Sequence, residues 1–382
     1  MREKRMWLCG LLLALGVGLG VQAADWTVLV YLDGDNSLDP FAVKDMNEME
    51  RVGSSDSLNI IVLVDRLEEG AKLYRMVQDN TDAIVSPVLE DWGEVNMGDP
   101  ATLQAFLDYG MANFPAARTA LVLWDHGGGW LGVCWDDHDL TDDGVTDRLT
   151  LDEVQQAIGG RYVDMLGFDA CLMAMAETAY EFRNQAGVMV ASEDSIPGDG
   201  WPYDTVLAGL AANPGWTGAD LGAWIVDAYM AFYGFHNKVT LSTVDLTRSQ
   251  GLLDAINDLA AALTAHMERG VVLGAQGSAE YVGAYGQYYA FIDLAGFADY
   301  VASHTRYPGT RSAALSVANE ARGAVLSEAH GFGSPGATGL SIFLPVSPHY
   351  YKEVYGTGLD FTADSLWDEF VTSLYKHGSK KS

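Results

Sequence analysis

The sequence predicts an α/β fold, a mostly parallel sheet with helices on both faces. Three observations carry that expectation. From Trp26 onward, short β-branched apolar runs alternate with amphipathic stretches. The amphipathic stretches space their apolar residues as a helix does, and the intervening runs have the length of buried strands. No internal repeat or low-complexity linker interrupts the alternation.

Thr27–Leu32 reads as the first strand, followed by a helix within Leu38–Arg51. Asn59–Val64 and Leu73–Val77 are the next two strands. Ala101–Asn113 has helical spacing, and Thr119–Trp124 is a buried strand. Leu151–Ile158 is a helix, with Thr150 as N-cap and Glu153 completing a capping box. Val163–Phe168 reads as a strand, Leu172–Arg183 as a helix and Val188–Ala191 as a strand. After residue 246 the texture changes. Leu252–Met267 and Arg311–Leu326 read as long helices, Gly339–Pro345 as a strand and Ser365–Tyr375 as a final helix. The Gly/Tyr-rich stretch Gly274–Tyr289 has no clear period. The expected organisation is an α/β unit over residues 24–246 and a mainly helical region over 247–382.

Residues 1–23 have the form of an export leader. Arg2, Lys4 and Arg5 precede the apolar run Leu8–Val21, and Val21-Gln22-Ala23 suits cleavage after Ala23. The run is short for a bilayer span, and no comparable charge-free run follows. The mature chain is therefore expected to be secreted or periplasmic, with no membrane anchor.

The 382 residues include 52 acidic and 22 basic side chains, a formal charge of −30, and 49% are hydrophobic. Removing the leader takes away three cations and one anion and brings the charge to −32. So many apolar residues exclude a disordered polyanion and supply a sizeable core. The negative charge argues against nucleic acid and against an anionic membrane as partners. A cationic substrate would be drawn in, a rate effect that salt suppresses.

Two strands end in reactive residues. Thr119–Trp124 runs into Asp125-His126-Gly127-Gly128-Gly129, and Val163–Phe168 runs into Asp169-Ala170-Cys171. In an open parallel sheet, active groups gather beyond the carboxyl ends of strands. If these strands are neighbours, His126 and Cys171 meet at one rim, where an imidazole and the start of a following helix would activate the thiol. The bare backbone after His126 suits an oxyanion hole built from the Gly127 and Cys171 amides. A buried cysteine is commonly an inert hydrophobe, so it is the shared strand-end placement that favours catalysis. The glycine run also suits an esterase, but no serine has glycine on both sides, so the nucleophile elbow is missing.

Leu121–Trp130 (LVLWDHGGGW), Gly167–Glu177 (GFDACLMAMAE) and Ala191–Tyr203 (ASEDSIPGDGWPY) resemble signature blocks of clostripain-type cysteine peptidases, relatives of caspases, legumains and gingipains. Tyr31–Leu38 (YLDGDNSL) and Gly339–Pro345 (GLSIFLP) are similar to further blocks, in the family's order. The resemblance implies a caspase-like three-layer sandwich and a Cys–His dyad at Cys171 and His126. It also implies cleavage after Arg or Lys, read by carboxylates at Asp169 and Asp199. A guanidinium clamped by two carboxylates is a strong, planar recognition. The plainer alternatives are a helix cap for Asp169 and a turn residue for Asp199. Some relatives are activated by cleavage between His and Cys, and here Arg148 is the better candidate of two arginines. Some also use calcium; no cofactor is needed for the dyad itself. A monomer acting on peptides or proteins is expected. The alternative function is a catalytically silent module of the same fold that binds basic peptides or calcium.

Asp136, Asp137, Asp139, Asp142, Asp143 and Asp147 crowd one loop without the spacing of an EF-hand, and a solvated acidic loop is the plainer reading. Gly331–Gly336 (GFGSPG) matches a dinucleotide fingerprint by letter, but it precedes a strand and contains Pro335. His138, His236, His266, His304 and His330 lack metal-ligand spacing. Cys134 and Cys171 are expected to be reduced in the active form, since a bond between them would consume the nucleophile.

Overall fold

A computed structural model describes residues 23–141, 144–282, 291–345, 347–351 and 353–376. The expected leader, apart from its last residue, and part of the Gly/Tyr-rich stretch lie outside the described residues. The chain begins with β1 (Ala24–Gly34), α1 (Asp39–Val52), β2 (Leu58–Arg66), β3 (Ala71–Arg75), β4 (Val88–Gly93), α2 (Pro100–Asn113) and β5 (Ala116–Trp124). A ribbon of β6 (Val133–Leu140) and β7 (Thr146–Leu149) leads to α3 (Leu151–Ile158), β8 (Val163–Asp169), α4 (Ala176–Glu181) and β9 (Ala186–Ala191). Next come α5 (Tyr203–Ala212), α6 (Gly218–Tyr233), β10 (Thr240–Asp245), α7 (Ser249–Ala265), α8 (Arg269–Ser278) and β11 (Tyr281–Val282). The chain closes with β12 (Phe291–Asp293), α9 (Leu294–His304), α10 (Pro308–Ala324), β13 (Val325–His330), β14 (Ser341–Phe343), α11 (Asp360–Asp364) and α12 (Trp367–Lys376).

Nine described strands form one sheet in the order β13-β10-β9-β8-β5-β1-β2-β3-β4. Its centre, β9-β8-β5-β1-β2, is parallel, and antiparallel pairs complete both margins. Alternate residues of each central strand serve opposite faces. Leu29, Tyr31, Leu121 and Leu123 enter one core, while Val28, Val30, Leu32, Val122 and Trp124 enter the other. A strand buried on both faces must be apolar at every position, which is why these segments read as continuous runs. One face is covered by α1, α5 and α6, the other by α2, α3, α4 and the C-terminal helices. The three-layer α/β sandwich expected from the sequence is thus the observed fold.

Local sequence signals set several boundaries, and the capping box at Thr150 and Glu153 is present as expected. Pro40 opens α1, and Ala42, Met46 and Met49 pack its apolar side before Gly53, at φ 69°, ends it. In α3 the Glu153 carboxylate accepts from the Thr150 N–H and hydroxyl at 2.9 and 2.7 Å. The C-terminal region is mainly helical, yet it also contributes β13 to the main sheet, and its helices share the core of α2–α4.

The structure differs from the expected elements at several places, among them α5, α6 and β10, which lie in a stretch with no assigned elements. β4 and the β6–β7 ribbon occupy polar stretches that carry no long apolar run. The expected helix Arg311–Leu326 ends at Ala324, and Val325 begins a strand. No helix starts at Leu172. Leu172 has φ 70° and its N–H donates to the Asp194 carbonyl at 3.1 Å, while the Ala174 N–H donates to Ser192 at 2.9 Å. The Ala174 carbonyl accepts from Ser341 at 2.9 Å, so Leu172–Met175 is pinned between two other segments and α4 waits until Ala176.

Glu177 ties this corner together. Its Oε1 accepts from the Phe343 N–H at 2.9 Å and from the Tyr355 hydroxyl at 2.8 Å, all buried. Glu177→Ala leaves two buried donors unpaired and should cost about 2–4 kcal/mol, read as a lower denaturant midpoint, while Glu177→Gln keeps most of the stability.

Candidate active site

β5 and β8 are adjacent and parallel, with Trp124 in register with Asp169. The Asp125 N–H donates to the Asp169 carbonyl at 3.3 Å, so the ladder persists one residue beyond β5. His126 and Cys171 stand two residues past that registered pair, and both line a cavity of about 570 Å³. Leu38, Asp169, Ser195–Gly198 and Lys238 are also in its wall.

Gly127 crosses the Cys171 backbone so closely that a Cβ there would lie 2.9 Å from the Cys171 nitrogen and run into its carbonyl oxygen. Glycine is required at this crossing. The Cys171 Sγ accepts from the Ile196 N–H at 3.3 Å. Burial pushes the thiol pKa up, and its contacts with Ile196 and Ser195 only partly offset this. Nε2 of His126 meets the Ser37 hydroxyl at 3.0 Å. The surrounding protein lowers the His126 pKa by desolvation. Both shifts favour neutral thiol and neutral imidazole at neutral pH. The expectation that a helix start lowers the Cys171 pKa is corrected here, since α4 begins five residues later.

The turn after β1 brings Ser37 to His126. The Asn36 side chain donates to Asp125 Oδ1 at 2.7 Å and to the Trp135 carbonyl at 3.0 Å, and its own oxygen accepts from the Leu38 N–H at 2.8 Å. One amide therefore locks three segments around the imidazole.

Asp169 is buried beneath the pocket. Its Oδ2 accepts from the Trp201 N–H at 2.9 Å and the Tyr203 hydroxyl at 3.0 Å. Its Oδ1 has no hydrogen-bond partner. Burial, with Glu48 adding repulsion, raises its pKa to about 7 despite those bonds. It caps no helix. Asp45 of α1 is close by: Gly200, at φ 59°, passes over both carboxylates, and a Cβ there would lie 2.8 Å from Asp169 Oδ2 and 3.1 Å from Asp45 Oδ2. Asp45 accepts from Trp124 Nε1 at 2.8 Å, and burial beside Asp169 raises its pKa to about 9.

Two other expected residues are placed differently. Asp199 is half exposed and paired with Lys44 at 2.8 Å; it does not line the cavity, because the bend at Gly200 turns it outward to α1. Arg148 lies in β7, paired with Trp135 across the ribbon, and its Nε donates to the Leu131 carbonyl at 2.8 Å. Cys134 is buried, and both cysteines are free thiols.

A sequence model of the clostripain family matches residues 30–374. The chain belongs to the clostripain family. It is a cysteine peptidase, and its substrates are peptides or proteins. It is 27% identical over 404 residues to the clostripain of Hathewaya histolytica, across 86% of this chain and 76% of that protein. Its fold matches a secreted C11 cysteine protease of Bacteroides thetaiotaomicron in complex with an irreversible peptide inhibitor, at TM-score 0.70 and 23% identity, over 90% of this chain and all of that one. An inactive zymogen C11 protease of Parabacteroides distasonis matches equally well, at TM-score 0.70 and 23% identity, over 90% of this chain and 98% of that one.

In this clostripain-family peptidase, sequence reasoning missed Ser37, Asp45, Tyr203 and Lys238. Ser37 lies within the block Tyr31–Leu38, so its presence near the site had a signal; Asp45, in a helix, had none.

The raised carboxyl pKa values have a definite consequence for stability. Asp169 and Glu177 near 7, and Asp45 near 9, keep protons in the folded state that the unfolded chain has released. Between the two pKa values the folded state binds more protons, so stability falls as pH rises. Tm in metal-free buffer should therefore drop between about pH 5 and about pH 8, and Asp45→Asn should flatten the decline.

Proposed function

We propose that the protein is an exported endopeptidase that cleaves after Arg or Lys, with Cys171 as nucleophile and His126 as acid and base. The observation that carries this reading is Asp169, a buried carboxylate with an unpartnered oxygen in the wall of the cavity shared by Cys171 and His126. A buried lone oxygen of this kind is costly unless a cation or donor meets it in the working complex. An Arg or Lys side chain supplies one. Asp45, which stays protonated at neutral pH, leaves Asp169 as the charged partner in the pocket, and Asp199 contributes at the rim when a substrate competes with Lys44.

The Ser37 hydroxyl holds His126 Nε2, leaving Nδ1 for proton transfer. The thiol gives its proton to His126 as the sulfur–carbon bond forms, and the Gly127 and Cys171 amides receive the oxyanion. Protonated His126 then donates to the amine nitrogen as the carbon–nitrogen bond breaks. Water, deprotonated by His126, attacks the thioester, releasing the acid product and the thiol. No cofactor enters these steps. Export is supported by the leader pattern of residues 1–23, and no described helix is long and apolar enough to cross a membrane.

Kinetics with amide substrates ending in Arg, Lys and Asp test the reading. Cys171→Ala should abolish turnover, and Asp169→Asn should lower kcat/KM for Arg substrates by roughly 10- to 100-fold. Because a protonated Asp169 attracts no cation, KM for Arg substrates should fall as pH rises toward about 7, and that trend should vanish in Asp169→Asn. Activity retained in Cys171→Ala, or equal cleavage after Asp, would defeat the assignment.

A further inference from the structure

Beside the cavity, two loops display aromatic rings to solvent. Phe332 is 70% exposed and Phe235 55%, and their rings stack with centroids 6.0 Å apart and 29° between planes. His236 meets Phe332 at 5.6 Å in a T-shaped contact. Backbone bonds zip the loops together: the Phe332 N–H donates to the Phe235 carbonyl at 2.7 Å, and the Gly331 N–H to the Val239 carbonyl at 2.8 Å. Gly333 lies flat on Lys238, where a Cβ would come within 2.8 Å of the Lys238 Cβ. Lys238, held by Asp194 at 2.8 Å, lines the cavity that contains Cys171. The aromatic pair therefore continues the cavity wall outward.

Sheet order fixes which side of the thiol this wall is on. Across β5, β8, β9, β10 and β13 the strands are neighbours in that sequence. β10 is antiparallel to β9, so its start lies at the edge where β5 and β8 end, and β13, antiparallel to β10, ends at the same edge. Along that edge the order is His126, Cys171, Ser195, Lys238 with Phe235, then Phe332. His126 and the aromatic pair thus flank Cys171 on opposite sides. His126 must face the departing amine, so the acyl side of the peptide runs the other way, toward the rings.

We propose that Phe235 and Phe332 form a subsite for an apolar or aromatic side chain on the acyl side of the substrate, three or four residues back from the scissile bond. This rests on the reading that His126 protonates the leaving amine at Cys171. The distance follows from strand spacing: two to three intervals of about 4.8 Å separate Cys171 from the pair, about 10–14 Å, which an extended peptide covers in about three to four residues. Large apolar rings left in water mark binding surfaces. Rings fixed by their loops lose little freedom when a ligand side chain packs on them, and a further ring or branched chain can stack on their open faces.

Acetylated pentapeptide aminocoumarin amides test this, differing only in Phe or Ala at the third or fourth position back and made with Arg, Lys or Asp next to the scissile bond. Phe at one of these positions should raise kcat/KM over Ala by roughly 5- to 30-fold, mostly through KM. The double variant Phe235→Ala, Phe332→Ala should bring that ratio to about one, whereas Phe332→Trp should keep it. The same ratio in Kd, measured by titrating the peptides into Cys171→Ala, reads the subsite without turnover. Loss of turnover, or cleavage after Asp alone, therefore counts against the catalytic assignment and not against this one. A wild-type ratio near one, or a ratio unchanged in the double variant, would overturn the proposal. A wild-type dimer that the double variant dissociates, with the ratio unchanged, would give the rings to a second copy and overturn it equally.

Discussion

Buried carboxylates that accept backbone N–H groups from distant segments hold this molecule in register. Asp169 takes Trp201, Glu177 takes Phe343, Glu193 takes Gly339 and Glu181 takes Phe361, at 2.8–2.9 Å. Glu50 takes both Val85 and Ser86, and Glu48 takes Tyr203. Each bond joins a helix or strand to a segment distant in sequence, and most of the donors are buried and would otherwise be unpaired. Losing such a bond strands both buried partners. The acidic excess therefore does more than keep the surface soluble.

The same bonds build the site. The parallel pairing of β5 and β8 sets where His126 and Cys171 emerge, but their surroundings come from elsewhere in the chain. Asp169 anchors the loop at Trp201 and Tyr203 over the pocket, and Leu172 and Ala174 are strung along Ser192–Asp194. Glu193 and Glu177 then hold the segment from Gly339 to Phe343 against that string. Asn36 closes the circle by tying the turn after β1 to Asp125. Five separated sequence blocks meet at one rim because their buried acids and amides pair with one another.

Much of this was legible in the sequence. Continuous apolar runs revealed the central strands, since strands buried on both faces cannot alternate. The capping box of Thr150 and Glu153 marked a helix start, and the two strand ends pointed to His126 and Cys171. Other features had no local signal. Asp45, Glu48 and Glu50 occupy α1 where an amphipathic reading puts solvent, yet all three are buried, because their partners come from far along the chain. Leu172–Met175 is apolar and reads as helix, but periodicity over four residues cannot separate a helix from a strand-like run. The outward turn of Asp199 to Lys44 depends on the bend at Gly200. The β6–β7 ribbon is a polar hairpin, and its acidic residues look like loop until Asp136 is seen accepting the Met97 N–H; Asp142 and Asp143 lie outside the described residues.

The central claim is that one cavity unites a nucleophilic thiol with recognition of a basic side chain. Covalent labelling by an arginine-ended acyloxymethyl ketone, followed by peptide mass mapping, tests both halves at once. The expected result is a single adduct on Cys171 that forms with the arginine reagent, is suppressed by excess arginine amide, and is far slower with an aspartate-ended analogue. An adduct on Cys134, or equal labelling of Cys171 by both reagents, would contradict it.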